Sequence, residues 1–163
     1  MPPRKPPEPR QPSARRSKAP VIGDVVEVPL DGERGYARVL RDPLMAFYAL
    51  RSAAPLACAE VVQAPVAFTV WVMGSALKSG RWRVVGNVPL TPEEDVAPWF
   101  FKQDAISGKL SLYRAGTARP ATREECDGLE RAAVWSAEHV ESRLCDQLAR
   151  RPNAWVESLR LKG

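Results

Sequence analysis

The residues able to do chemistry in this chain are few, and their spacing limits what they can do. The single histidine, His139, stands beside Glu138 and Glu141 in a stretch of helical periodicity. Cys58, Cys126 and Cys145 form neither a CxxC pair nor a metal-ligand spacing. A dyad of His139 with a cysteine would join a thiolate to a base. Nothing in the spacing brings the two together, and reduced, buried thiols with a surface imidazole are the simpler expectation. The stretch "GSALKSG", Gly74 to Gly80, places a lysine-serine pair after a glycine. A phosphate loop needs GxxxxGK[ST], whose glycines let backbone amides wrap the phosphates. Here Leu77 replaces the glycine before the lysine, so a connecting loop is expected. Glu93-Glu94 and Glu124-Glu125 are paired carboxylates that could do acid–base work in a cleft. Both pairs also stand where helices begin, where the macrodipole favours acids. Trp71 and Trp82 could line a ligand pocket, but they sit in apolar strands where aromatic side chains pack the core. No catalytic group, cofactor or metal site is implied.

The elements that would position these residues are limited first by composition. A chain of 163 residues, 45% of them hydrophobic, suits one folded domain with a genuine core. The formal net charge is +5, but it is unevenly placed. The opening "MPPRKPPEPRQPSARRSKAP" carries Arg4, Lys5, Arg10, Arg15, Arg16 and Lys18 against Glu8 alone. Removing those six bases and one acid from totals of 24 and 19 leaves 18 of each. The folded part is therefore neutral and the basicity belongs to the tail. That tail, residues 1–20, is rich in proline with little to bury, so disorder is expected. It lacks the apolar core of a secretory signal, and no later run is long enough to span a bilayer. A cytoplasmic, reducing home follows from the cysteines and the missing signal. The tail could serve as a loose arm for nucleic acid or anionic surfaces; a solvating extension is the plainer expectation.

Past the tail, period-2 alternation dominates. "GDVVEVPLDGERGYARVL" predicts a hairpin, with Val26 and Val28 on one face, Val25 on the other, and a turn of about four residues starting at Asp31-Gly32. "MAFYAL" predicts a further strand, although Asp42-Pro43 before it could cap a helix. "PVAFTVWVM" predicts a strand buried on both faces. "RWRVVGNVPL" predicts another, with Gly86 marking a bulge or a close backbone approach. "TPEED" reads as a helical turn capped by Thr91 with Glu94 three residues on. In "APWFFKQDAISGKLSL", alternation places Trp99 and Phe101 on one face and Phe100 on the other. A hairpin turning at Ser107-Gly108, with the aromatics mostly in its core, is expected.

The C-terminal part changes period. "ATREECDGLERAAVWSAEHVESRLCDQLARRP" opens with a capping box, Thr122 to Glu125. Leu129, Ala133, Val140, Leu144 and Leu148 then recur at helical spacing, with acids at the start and Arg150-Arg151 at the end. One long helix is expected, stopped by Pro152. "NAWVESLRL" suits a strand or a helical turn. The order of elements predicts an α+β fold: a curved, mostly antiparallel and partly barrel-like sheet with a long C-terminal helix packed on it.

The segments "GDVVEVPL", "GYARVL", "DPLMAFYAL", "VAFTVWVM", "SGRWRVVGNVPL", "PWFFKQDAISGKL", "RPATREECDGLERAAVWSAEHVESRL" and "RPNAWVESLRLKG" together resemble the immunity protein 26 family. The resemblance spans Val21 to Gly163, a single immunity-protein-like domain, and rests on ordered segments more than on one motif. It implies a largely β fold without catalytic residues of its own. It further implies a bacterial, cytoplasmic antidote of polymorphic or contact-dependent toxin systems, which binds and neutralises a cognate toxin. The family supplies no binding motif to carry over. A nuclease toxin has a basic cleft, which an acidic antidote surface would suit. The acids available are Glu93, Glu94 and Asp95 on one loop, with Glu138 and Glu141 foremost on the helix. A nucleic-acid-associated module acting through the basic arm is the alternative, and an enzyme assembled from distant residues ranks last.

Overall fold

The computed structural model describes residues 19–163. The expectation of disorder in the tail therefore falls, for residues 1–18, outside the described residues. Three strands open the fold: β1 (Asp24–Leu30), β2 (Glu33–Arg41) and β3 (Leu44–Ser52), paired antiparallel in sequence. The β1–β2 turn holds only Asp31 and Gly32, since Leu30 already pairs with Glu33. It is two residues, not the expected four, and β2 begins three residues ahead of Tyr36. After the one-turn helix α1 (Cys58–Val61), β4 (Val66–Val72) joins the far side of β3.

Alternation sorts these strands onto two faces. Val26, Val28, Leu30, Ala37, Val39, Met45, Phe47, Phe68, Val70 and Val72 form the main core on one face. Each such side chain, fully buried, contributes roughly 1.5–3 kcal/mol. On the other face Val25, Tyr36 and Tyr48 pack with Val61 of α1. β4 was expected to be buried on both faces, but only Phe68, Val70 and Val72 are. Its other face is only partly covered, and Trp71 stays half-buried there.

The "GSALKSG" stretch forms a single helical turn, α2 (Ser75–Lys78), in a connection to β5 (Arg83–Asn87). β5 lies at the sheet edge beside β1, with a register shift between the Val25–Gly86 and Val26–Val84 pairs. Both expectations for Gly86 hold. It adjoins the bulge, and a Cβ there would lie 2.6 Å from Cys58 Sγ.

A second sheet follows: β6 (Phe100–Gln103), β7 (Leu110–Arg114) and β8 (Thr117–Pro120), joined by β9 (Glu130–Arg131). Two residues later β10 (Val134–Trp135) adds parallel to β4. The strand orders are β10-β4-β3-β2-β1-β5 and β8-β7-β6-β9. The expected single, partly barrel-like sheet is thus two open sheets, stitched together where the chain passes from β9 to β10. Phe100 and Phe101 point to opposite faces of the small sheet, and both are 2% exposed because both faces are covered there. Trp99 precedes the strand and is 38% exposed, so one of the three aromatics is not hairpin core. The guanidiniums of Arg114 and Arg119 lie 4.7 and 5.8 Å from its ring centre.

The expected long helix is broken in two. Thr122 does form its capping box with Glu125, but on a single turn, α3 (Arg123–Cys126). Gly128 then takes φ +76°, the left-handed region that ends helices. The backbone of β9 and β10 is consumed by pairing with strands. The helix restarts at Ser136, whose hydroxyl accepts from His139 N, as α4 (Ala137–Leu148). Helical spacing of Leu129 and Ala133 was coincidental to this. The ambiguous segment is a helix, α5 (Ala154–Ser158), capped by the buried Asn153. No helix among the described residues is long and apolar enough to cross a membrane.

Candidate functional site

The acids singled out in the sequence lie on opposite faces of the six-stranded sheet. Thr91 and Glu94 form the expected reciprocal cap: Thr91 N donates to Glu94 Oε1 at 3.0 Å and Glu94 N donates to Thr91 Oγ1 at 3.3 Å. The backbone N–H of Thr91 and, secondarily, Arg38 hold the Glu94 carboxyl below the usual glutamate range. Arg38 itself is 1% exposed. It stands on β2 between Ala37 and Val39, and so points away from the main core. Its Nη1 donates to Glu94 Oε2 at 2.6 Å. Its Nε and Nη2 donate to Val88 O at 3.0 and 2.7 Å, and Nη2 also donates to Pro89 O at 2.5 Å. This buried guanidinium clamps the 88–94 segment over the sheet, and its burial is offset by those bonds. Glu93 remains exposed, and Asp95 meets Arg41 at 3.9 Å, largely in solvent.

Beyond Asp95 the segment borders a cleft of about 450 Å³ between the two sheets. Trp71 of β4 forms one wall, with Phe100 of β6 at 4.1 Å between ring centres and Tyr113 of β7 edge-on at 5.6 Å. The β2–β3 turn, with Arg41, Asp42 and Pro43, and the chain from Glu94 to Pro98 complete it. Sequence spacing had identified Trp71 and the acids separately; the fold brings them to one cavity. Tyr113, Asp42 and Arg38 were missed. For Arg38 the signal was present, as an arginine sharing its strand face with Tyr36 and Leu40 in "YARVL".

Glu138 and Glu141 lie on α4, across the sheet from this cleft. Glu141 accepts from Arg81 Nε and Nη2, both at 2.7 Å, and from Trp82 Nε1 at 2.8 Å. It anchors the helix to the loop before β5. Glu138 is more exposed and meets Arg81 at 3.3 Å. His139 stacks on Trp155 of α5 at 3.6 Å. The three cysteines are free, and burial pushes the thiols of Cys126 and Cys145 up. Among the described residues no group of three or more His, Cys, Asp or Glu is placed to hold a metal ion.

Residues 21–112 match the model of a family described as Immunity protein 26. The match covers more than half of the chain and runs from before β1 into β7. It includes Trp71, the 93–95 acids and Phe100, and ends before Tyr113 and α4. No curated protein and no solved structure matches the chain at a significant level.

Proposed function

The chain belongs to the immunity protein 26 family, and on that premise we propose that it neutralises a bacterial toxin by stoichiometric protein–protein binding, without turnover, in the cytoplasm of the cell that makes it. The family match carries this reading. The chemistry of the side chains supports it. A thiol whose pKa is raised by burial is mostly protonated at neutral pH and a poor nucleophile. His139 has an aromatic ring against its face and no cysteine among its hydrogen-bond partners. Affinity would then come from a preorganised surface with a few anchors.

Of the five proposed partner-facing acids, Glu94 and Asp95 border the cleft, Glu93 is exposed beside them, and Glu138 and Glu141 lie on the far face. One flat interface cannot take both groups. We place the contact at the cleft side, because Glu93 and Asp95 are exposed while Glu141 is held by the fold; α4 is the second candidate. The test is growth rescue in cells co-expressing this chain with candidate toxin-domain proteins encoded in its own genome. Rescue is expected, and Glu93→Lys with Asp95→Lys should weaken it more than Glu138→Lys does. Absence of rescue and of a complex with any of them would overturn the reading.

A further inference from the structure

Inside the molecule, arginines repeatedly lie over aromatic rings. The Arg143 guanidinium is 3.9 Å from the centre of Phe68 and 5.0 Å from that of Trp135, and it is paired with Glu130. Arg131 lies over Phe101, Arg114 over Trp99 and Lys102 over Tyr113. Trp71 carries no such cation among the described residues, although its ring lines the cleft with Phe100 and Tyr113 and faces a rim that includes Asp42, Glu94 and Asp95. At Trp71 the cleft therefore has the parts that surround Arg143, an aromatic ring and carboxylates, without a guanidinium among the described residues.

The charge balance of the rim points the same way. The Arg38 guanidinium is committed to Glu94 and to two backbone carbonyls. Tyr113 faces the cleft, so the next residue, Arg114, turns its guanidinium to the opposite face of β7, over Trp99. Among the described residues that leaves Arg41, whose side chain is 76% exposed, beside Asp42 and Asp95, with Lys102 held over Tyr113 and no cation over Trp71. An aromatic face attracts a cation through its quadrupole, more strongly where water is partly excluded. A guanidinium can add planar hydrogen bonds to a carboxylate.

We propose that this cleft is the socket for an arginine side chain of the protein partner, its guanidinium lying against Trp71 and paired with Asp95 and Asp42. The proposal rests on the toxin-binding reading for the identity of the partner, but its chemistry can be tested without the toxin. The probe is the peptide acetyl-Gly-Arg-Gly-amide, titrated into the full chain labelled with ¹⁵N, with the five tryptophan indole N–H signals as readout. The Trp71 signal should shift saturably while that of Trp82 stays still. The same peptide with citrulline, isosteric but uncharged, should bind about tenfold more weakly. Asp42→Asn with Asp95→Asn, both at exposed positions, should reduce the arginine preference severalfold with the fold intact. Equal shifts from both peptides, or a preference unchanged in the double variant, would overturn the socket. A toxin bound equally well by parent and double variant would retain the immunity reading and reject the socket as its contact. An arginine-selective cleft in a chain that inhibits no toxin would reject the immunity reading and leave the socket standing.

Discussion

The two faces of the six-stranded sheet are built on different principles. The face under α4 is closed and apolar. Its aliphatic and aromatic side chains interlock with Val140 and Leu144 of the helix, both fully buried, and its charges are satisfied within the fold: Glu141 by Arg81 and Trp82 Nε1, and the buried Arg143 by Glu130, over Phe68 and Trp135. The other face is organised around a buried cation, Arg38, and is covered by a short helix, an irregular segment and a second sheet that leaves a cleft. A face closed by a regular helix can be filled completely. A face covered by loops and a tilted second sheet retains open volume, and that volume is where a partner can be recognised. On the proposed reading, stability resides chiefly in the first face and binding in the second.

Two tryptophans test this most strongly. Trp82, 1% exposed and packed edge-on against Phe47, should lose about 3–5 kcal/mol on replacement by alanine. Trp71, only partly buried at the cleft, should lose less, about 1–2 kcal/mol, because part of its surface is already in solvent. Urea midpoints of Trp82→Ala and Trp71→Ala measure the difference; equal losses would mean the cleft is as much core as the helix face. Next comes the buried cation. Glu94→Gln should destabilise by about 1–2 kcal/mol at neutral pH, a modest figure because Glu94 itself is substantially exposed. The folded-state pKa of Glu94 is depressed, so its contribution is complete above the unfolded glutamate pKa and lost as pH falls through the folded value. Stability measured against pH should therefore decline less steeply on the acid side in Glu94→Gln than in the parent. The smallest effect is at the sheet edge. Gly86→Ala should cost about 1 kcal/mol through the Cys58 thiol, and less than about half of that in a Cys58→Ala background. An undiminished cost there would place the obstruction in the backbone bulge instead.

How far the sequence revealed this follows from the range of each signal. The β1–β2–β3 meander was legible because alternation and turn residues act over a few positions. Even the bulge at Gly86 announced itself as a glycine inside a strand. The capping box at Thr122 was legible too, but the length of the helix after it was not. Leu129 and Ala133 fit a helical period, while Gly128 and the pairing of Glu130–Arg131 with β6 outweighed that pattern. Such pairing joins residues 30 positions apart, beyond any local signal. The site shows the same division. Glu94, Asp95 and Trp71 were visible as residue types, but their meeting at one cleft, with Asp42 and Tyr113, depends on how two sheets pack. The separation of Glu94 from Glu141 across a sheet was invisible for the same reason.

The measurement that bears most directly on the central claim is a titration of the cognate toxin's activity with the purified chain, followed by intact-mass analysis of both proteins. Toxin activity should fall linearly to zero at a fixed molar ratio, with neither mass altered, and separation of the complex should return active toxin. Inactivation by far less than a molar equivalent of this chain, or a changed toxin mass, would show turnover and contradict the account.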